Sequence, residues 1–141
     1  KVHFVDSGLL CHLLGLESEA ALLRSPFAGP VFEGFVAAEI AKARINAGHR
    51  PVLYHFRDRA GLEVDFIVPV GDRVVLLEAK AGRTVRPADA APIRALLPAL
   101  GDRVRGAHVI HWPGESVGTT VLVPGVSTGT PRDLPRFVSE V

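Results

Sequence analysis

Four charged side chains stand at spacings that could build one site. Glu63 and Asp65 lie in Gly61-Leu-Glu-Val-Asp-Phe-Ile-Val, and Glu78 and Lys80 lie in Leu76-Leu-Glu-Ala-Lys. Gly71-Asp72 separates these two alternating runs and predicts a hairpin turn. In a hairpin centred there, the numbers of facing residues sum to 143, which sets Asp65 opposite Glu78 and Glu63 opposite Lys80. Side chains alternate along a strand, so all four are expected on one face with Ile67, Leu76 and Val74. Opposed carboxylates repel, and buried ones are costly unless paired, protonated or bound to a cation. A divalent ion, Mg²⁺ or Mn²⁺, accepts hard oxygen ligands and would resolve the conflict. Lys80 would point at the same place, where an ammonium could orient a water, help deprotonate it, or stabilise developing charge. Glu33 could add a further carboxylate. The same spacing also suits an ordinary Glu63–Lys80 ion pair, with Asp65 and Glu78 at the solvated end of a sheet.

The elements that must position these groups follow from periodicity and breakers. Residues 1–28 read as a small helical cap. Asp6 and Ser7 are helix caps before Leu9, Leu10, Leu13 and Leu14, and Gly15 ends that turn; a second short helix runs from Glu17 to Arg24. Gly29-Pro30 opens a longer helix over Val31–Ala47, closed by Gly48. Its apolar stripe is Phe32, Phe35, Val36, Ile40 and Ala43, with Glu39 inside the stripe, Glu33 on its edge, and Lys42 and Arg44 facing elsewhere. Strands are expected over Val52–Arg57, Leu62–Val70 and Val74–Lys80. A helix is expected over Arg86–Leu100 with a kink or break at Pro92, then strands over Val104–His111 and Thr119–Val123. The core thus covers 29–123, and the Pro-, Gly-, Ser- and Thr-rich tail 124–141 is expected to be mostly loop.

Helix, three strands, helix, strand is an α/β arrangement. With Asp65, twelve residues, then Glu78-Ala-Lys80, it resembles the common core of the PD-(D/E)XK nuclease superfamily, the restriction-endonuclease-like fold. Phe32-Glu33 is similar to that superfamily's first motif. A closer resemblance covers about residues 1–111. Phe4-Val-Asp-Ser-Gly-Leu, Val31-Phe-Glu-Gly-Phe-Val-Ala-Ala-Glu-Ile, Tyr54-His-Phe-Arg, Gly61-Leu-Glu-Val-Asp-Phe and Leu77-Glu-Ala-Lys are similar to a prokaryotic domain of unknown function found C-terminal to AAA+ type ATPase modules. The resemblance implies Asp65, Glu78 and Glu33 as metal-binding carboxylates, Lys80 as the catalytic lysine, and Glu39 and Glu63 as positions of the domain's own pattern. Arg57 could approach the carboxylates, and Arg83 and Arg86 could contact phosphates.

Composition sets the outer limits. The 141 residues are 48% hydrophobic and 22% charged, which suits one globular domain and excludes disorder, collagen and coiled coil. No run approaches the ~18 apolar residues of a membrane span. A net charge of +1 confines any nucleic-acid surface to a local patch. Cys11 stands alone, so no intrachain disulfide forms, and a reducing, cytoplasmic setting is expected. The chain has no Met, opens Lys-Val-His-Phe-Val and lacks a Gly-x-x-x-x-Gly-Lys-Ser/Thr loop, so it is expected to be a piece of a longer polypeptide whose nucleotide hydrolysis lies elsewhere. The histidines show no zinc spacing, and Ser7 and Ser116 lack a nucleophile elbow. Two function classes remain open: a Mg²⁺- or Mn²⁺-dependent deoxyribonuclease, or a non-catalytic module that binds DNA, docks on its ATPase or forms a homodimer.

Overall fold

Gly71 takes a positive φ of 62°, the conformation a tight hairpin turn requires, and the centre of the sheet is built out from it. The computed structural model describes residues 1–113 and 119–139; Ser116 lies outside the described residues. Strands β2 (Glu63–Val70) and β3 (Arg73–Lys80) pair antiparallel from Val70↔Arg73 to Phe66↔Leu77. Every pair in that ladder sums to 143, the register expected from Gly71-Asp72. Strand β1 (Tyr54–Arg57) pairs antiparallel with the other side of β2. Strand β4 (Val104–His111) then lies parallel to β3.

The described part of the chain is α/β, with helices on both faces of a mixed sheet. The six strands run in the order β1-β2-β3-β4-β6-β5, where β5 is Val121–Val123 and β6 is Val126–Gly129. On one face, helix α3 (Ala28–Asn46) lays Phe32, Val36, Ala37 and Ile40 on Phe66, Val68, Val70, Val75 and Leu77. On the other, α4 (Ala91–Leu100) packs Ile93 and Leu96 against Val64, Leu76, Ala107 and Val109. Short cap helices α1 (Ser7–Leu13) and α2 (Glu19–Arg24) precede α3, and both are capped as their residue types require. Asp6 Oδ1 accepts from the Leu9 N–H at 2.9 Å and Ser18 Oγ from the Ala21 N–H at 3.1 Å.

Two expectations need correction. The tail is not mostly loop. Pro124-Gly125 is the turn of a β5–β6 hairpin, β6 inserts between β5 and β4, and α5 (Leu134–Val138) covers the sheet beside α3. Arg44, expected off the apolar stripe of its helix, is buried there, because α5 packs over it, and its guanidinium donates to the Val138 carbonyl at 3.2 Å. The break expected at Pro92 is present: the 86–100 stretch is split just before it. Pro87–Ala90 form a 3₁₀ turn, and Pro92 occupies the first turn of α4, where no N–H is needed.

Candidate functional site

The site begins where the β2–β3 ladder stops. Beyond Phe66↔Leu77 the next strand-to-strand contact is made by a side chain: Asp65 Oδ2 accepts from the Ala79 N–H at 3.0 Å. The cause is a bulge in β2. Tyr54 faces Ile67 while Phe56 faces Val64, so β2 spends one residue more than β1 across this step. The bulge reverses the alternation. Val64 packs on the α4 face with Leu76, whereas Phe66 and Val68 pack on the α3 face. Val64 therefore takes the face that Glu63 and Asp65 were expected to share with Ile67. Glu63 and Asp65 still line one cleft with Glu78.

The four carboxylates nonetheless converge, and a lysine gathers three of them. Lys1 Nζ lies 2.8 Å from Glu33 Oε1 and 2.8 Å from Asp65 Oδ1, and it also pairs with Glu63. Glu33 comes from α3, Glu63 and Asp65 from the bulged end of β2. Burial works to lower the Lys1 pKa, but the hydrogen bonds to Asp65, Glu33 and Glu63 outweigh it and raise it above the ordinary lysine range. The hydrogen bond from Lys1 in turn holds the Glu63 carboxyl below its usual value, against the opposing effect of burial. His3 Nε2 stands 3.7 Å from Glu33 Oε1, and His55 Nδ1 stands 4.0 Å from Glu63 Oε1. Arg57 approaches Glu63 at 3.8 Å from an exposed position.

Glu78 belongs to the other half of the site. It is only 5% exposed, and its Oε2 is buried without a hydrogen-bond partner. Its Oε1 accepts from Lys80 Nζ at 2.9 Å. Burial and then the charge of Asp65 push the Glu78 pKa up to about 7, with Lys80 opposing. Burial disfavours the Lys80 ammonium, but its hydrogen bond to Glu78 prevails and raises its pKa. Glu63, Asp65 and Glu78 line a cleft of about 560 Å³ whose apolar walls are Leu62 and, from α4, Ala91, Pro92 and Ala95. Among the described residues, no three His, Cys, Asp or Glu side chains are already gathered as a metal-binding group. The ammonium of Lys1 stands between three of the carboxylates, and Glu78 is turned towards Lys80.

Residues 28–122 match the family model described as Domain of unknown function (DUF4143). The chain belongs to the DUF4143 family. It is 33% identical over 141 residues to uncharacterized proteins of Mycobacterium tuberculosis and Mycobacterium bovis, a match that covers 95% of this chain. The chain spans about 30% of the length of these curated relatives. No solved structure matches it.

Within this DUF4143 chain, three of the residues singled out in the sequence pair with groups other than the four carboxylates. Glu39 is half-buried and pairs with Lys42 on α3. Arg83 pairs with Glu19 of the cap at 2.8 Å, and Trp112 Nε1 donates to the same carboxylate oxygen at 3.2 Å. Arg86 caps the 3₁₀ turn, its N–H donating to Asp89 Oδ2 at 2.7 Å. The residue that sequence reasoning missed is Lys1. Its signal was the alternation Lys1-Val2-His3. In an extended segment residues 1 and 3 share a side, and here both reach Glu33 while Val2 is 97% exposed.

Proposed function

We propose that this chain is a nuclease-like domain with a PD-(D/E)XK, restriction-endonuclease-like core that hydrolyses DNA phosphodiesters with Mg²⁺ or Mn²⁺, in the cytoplasm, as part of a larger AAA+ type ATPase. The observation that carries the reading is that Glu78, which lines a cleft with Asp65, keeps its Oε2 buried without a hydrogen-bond partner. A buried carboxylate oxygen without a donor calls for a proton or a cation. Asp65 and Glu78 would hold the ion. A divalent ion bound there supplies an acidified water and neutralises charge on the phosphate. Lys80 remains an ammonium at neutral pH because Glu78 raises its pKa, so it orients the water and stabilises negative charge rather than acting as a base. Glu33 and Glu63 fix Lys1 beside Asp65. The apolar wall of Leu62, Pro92 and Ala95 offers a surface for sugar and base.

The test is cleavage of single-stranded, duplex and branched DNA in Mg²⁺, Mn²⁺ or EDTA, with Lys80→Ala purified identically. Metal-dependent cutting should fall by about 10²-fold or more in the variant. Absence of metal-dependent cutting, or cutting that survives in Lys80→Ala, overturns the reading.

A second reading makes this a non-catalytic module that binds DNA, docks on the rest of its polypeptide or dimerises. It is favoured by the apolar side chains that the N-terminal segment leaves in solvent: Val2, Val5 and Leu13 are 97%, 89% and 64% exposed. Salt-dependent DNA binding without cleavage, equal in wild type, Asp65→Ala and Lys80→Ala, would select it. Sedimentation at high concentration would show whether a homodimer forms.

A further inference from the structure

Asp65 divides two hollows. On one side lies the cleft with Glu78 and α4; on the other lies a hollow of about 280 Å³ lined by Lys1, His3, Tyr54, His55 and Phe66. Each Asp65 oxygen is engaged, Oδ1 by Lys1 and Oδ2 by the Ala79 N–H, yet a carboxylate oxygen has a second lone pair. Glu78 Oε2 is buried with no donor, and Glu78 lines the cleft rather than the second hollow. The charges close around one ion. With Glu78 ionised, as a bound ion would hold it, Glu33, Glu63, Asp65 and Glu78 carry four negative charges, and Lys1 and Lys80 return two. One divalent ion neutralises the remainder. Two ions beside both lysines would leave an uncompensated positive excess in a half-buried site. Arg57 is 66% exposed, and an ion pair that open to water contributes little, so it alters this balance little.

The geometry points to Lys1 as the resident occupant of a second cation position: the site takes one divalent ion, on the Asp65–Glu78 side, and the Lys1 ammonium held by Glu33, Glu63 and Asp65 stands where a second ion would bind. This rests on the metal-dependent reading above and specifies its stoichiometry. Lys1 is then a positioning residue. It orients Asp65 and keeps Glu33 and Glu63 out of the coordination sphere.

The experiment counts bound Mn²⁺ by electron paramagnetic resonance and calorimetry in wild type, Lys1→Gln and Lys1→Arg, each checked for an intact melting transition. Expected are one ion in wild type, two in Lys1→Gln with the second weaker, and one in Lys1→Arg. Two ions in wild type, or one in both wild type and Lys1→Gln, overturns the assignment of Lys1 while leaving the metal site standing. No ion in any of them overturns the metal reading and this inference together. A second measurement needs no variant. The reductive methylation rate of Lys1 Nζ, read by peptide mapping against exposed Lys42, should be slow and unchanged by saturating Mn²⁺. Acceleration would mean that the ion takes the place of Lys1, which overturns the proposal.

Discussion

Glu78→Gln should stabilise the metal-free protein at alkaline pH, and the structure sets how much. Glu78 is nearly fully buried, has an unpartnered oxygen and faces the charge of Asp65. Its pKa rises from 4.5 to about 7 on folding. The folded state therefore holds more protons than the unfolded state across that interval, and stability falls as pH rises through it. Above pH 7 the full penalty applies. At 1.36 kcal/mol per pKa unit it amounts to about 3 kcal/mol, an upper figure for a site this crowded. The amide removes the charge, and its NH₂ can donate to Asp65. For a chain of this length the gain corresponds to roughly 10 °C in melting temperature. The assay is thermal and urea unfolding in EDTA at pH 8.5 and pH 4.5. Wild type and variant should separate at the higher pH and nearly coincide at the lower. Equal stability at pH 8.5, or a loss, would refute the claim that this carboxylate is strained by burial and by Asp65.

Two further perturbations act on the far end of the sheet. His108 stacks on Phe137 at 3.7 Å with ring planes 5° apart, and its Nδ1 meets Ser127 Oγ at 2.7 Å. Burial, then the charge of Arg136, lowers its pKa from 6.5 to about 4, so wild type should lose up to about 3 kcal/mol as pH falls across that window, a dependence that chemical denaturation should find missing in His108→Phe. Gly129→Ala should destabilise by about 1–3 kcal/mol in urea titrations, because a Cβ there would meet Phe137 Cε2 at 2.6 Å; an unchanged midpoint would mean that Phe137 can move aside.

What the sequence disclosed, and what it concealed, follows from how local each signal was. The β2–β3 register was legible because one turn and two alternating runs determine it, and the observed pairs keep that register throughout. The bulge was not legible, since Glu63-Val64-Asp65-Phe66 alternates as regularly as any strand; only pairing with β1 across Tyr54 and Phe56 shows the extra residue. Strand β6 was hidden by its composition. Val126-Ser-Thr-Gly reads as loop, yet it lies between β4 and β5, with Gly129 small because Phe137 passes over it and Thr128 bonded to Thr120. Asp65, Glu78 and Lys80 were found through spacing within one hairpin. Lys1 escaped because the Lys1-Val2-His3 alternation does not say what it faces: its partners lie 32, 62 and 64 residues away in sequence.

The two buried titrations are coupled through stability although they sit in different parts of the fold. Glu78 makes the folded state the better proton binder between about pH 4.5 and 7, and His108 makes it the poorer one between about pH 4 and 6.5. Their slopes have opposite sign and overlap over most of that range, so the wild-type profile between pH 4.5 and 6.5 should be nearly flat. Flatness here is cancellation, not absence of buried ionisable groups. Glu78→Gln removes one slope and should leave a protein that weakens steeply on acidification. His108→Phe removes the other and should leave one that weakens as pH rises towards 7. The double variant should be flat again, and additive, because the two groups share no partner. A flat profile in either single variant would show that its remaining group does not titrate as its burial requires. Metal binding enters the same balance from one side only. A divalent ion at Asp65 and Glu78 would hold Glu78 ionised and offset its folding penalty, so added Mn²⁺ should restore to wild type the acid-side slope of Glu78→Gln while leaving that variant's profile almost unchanged.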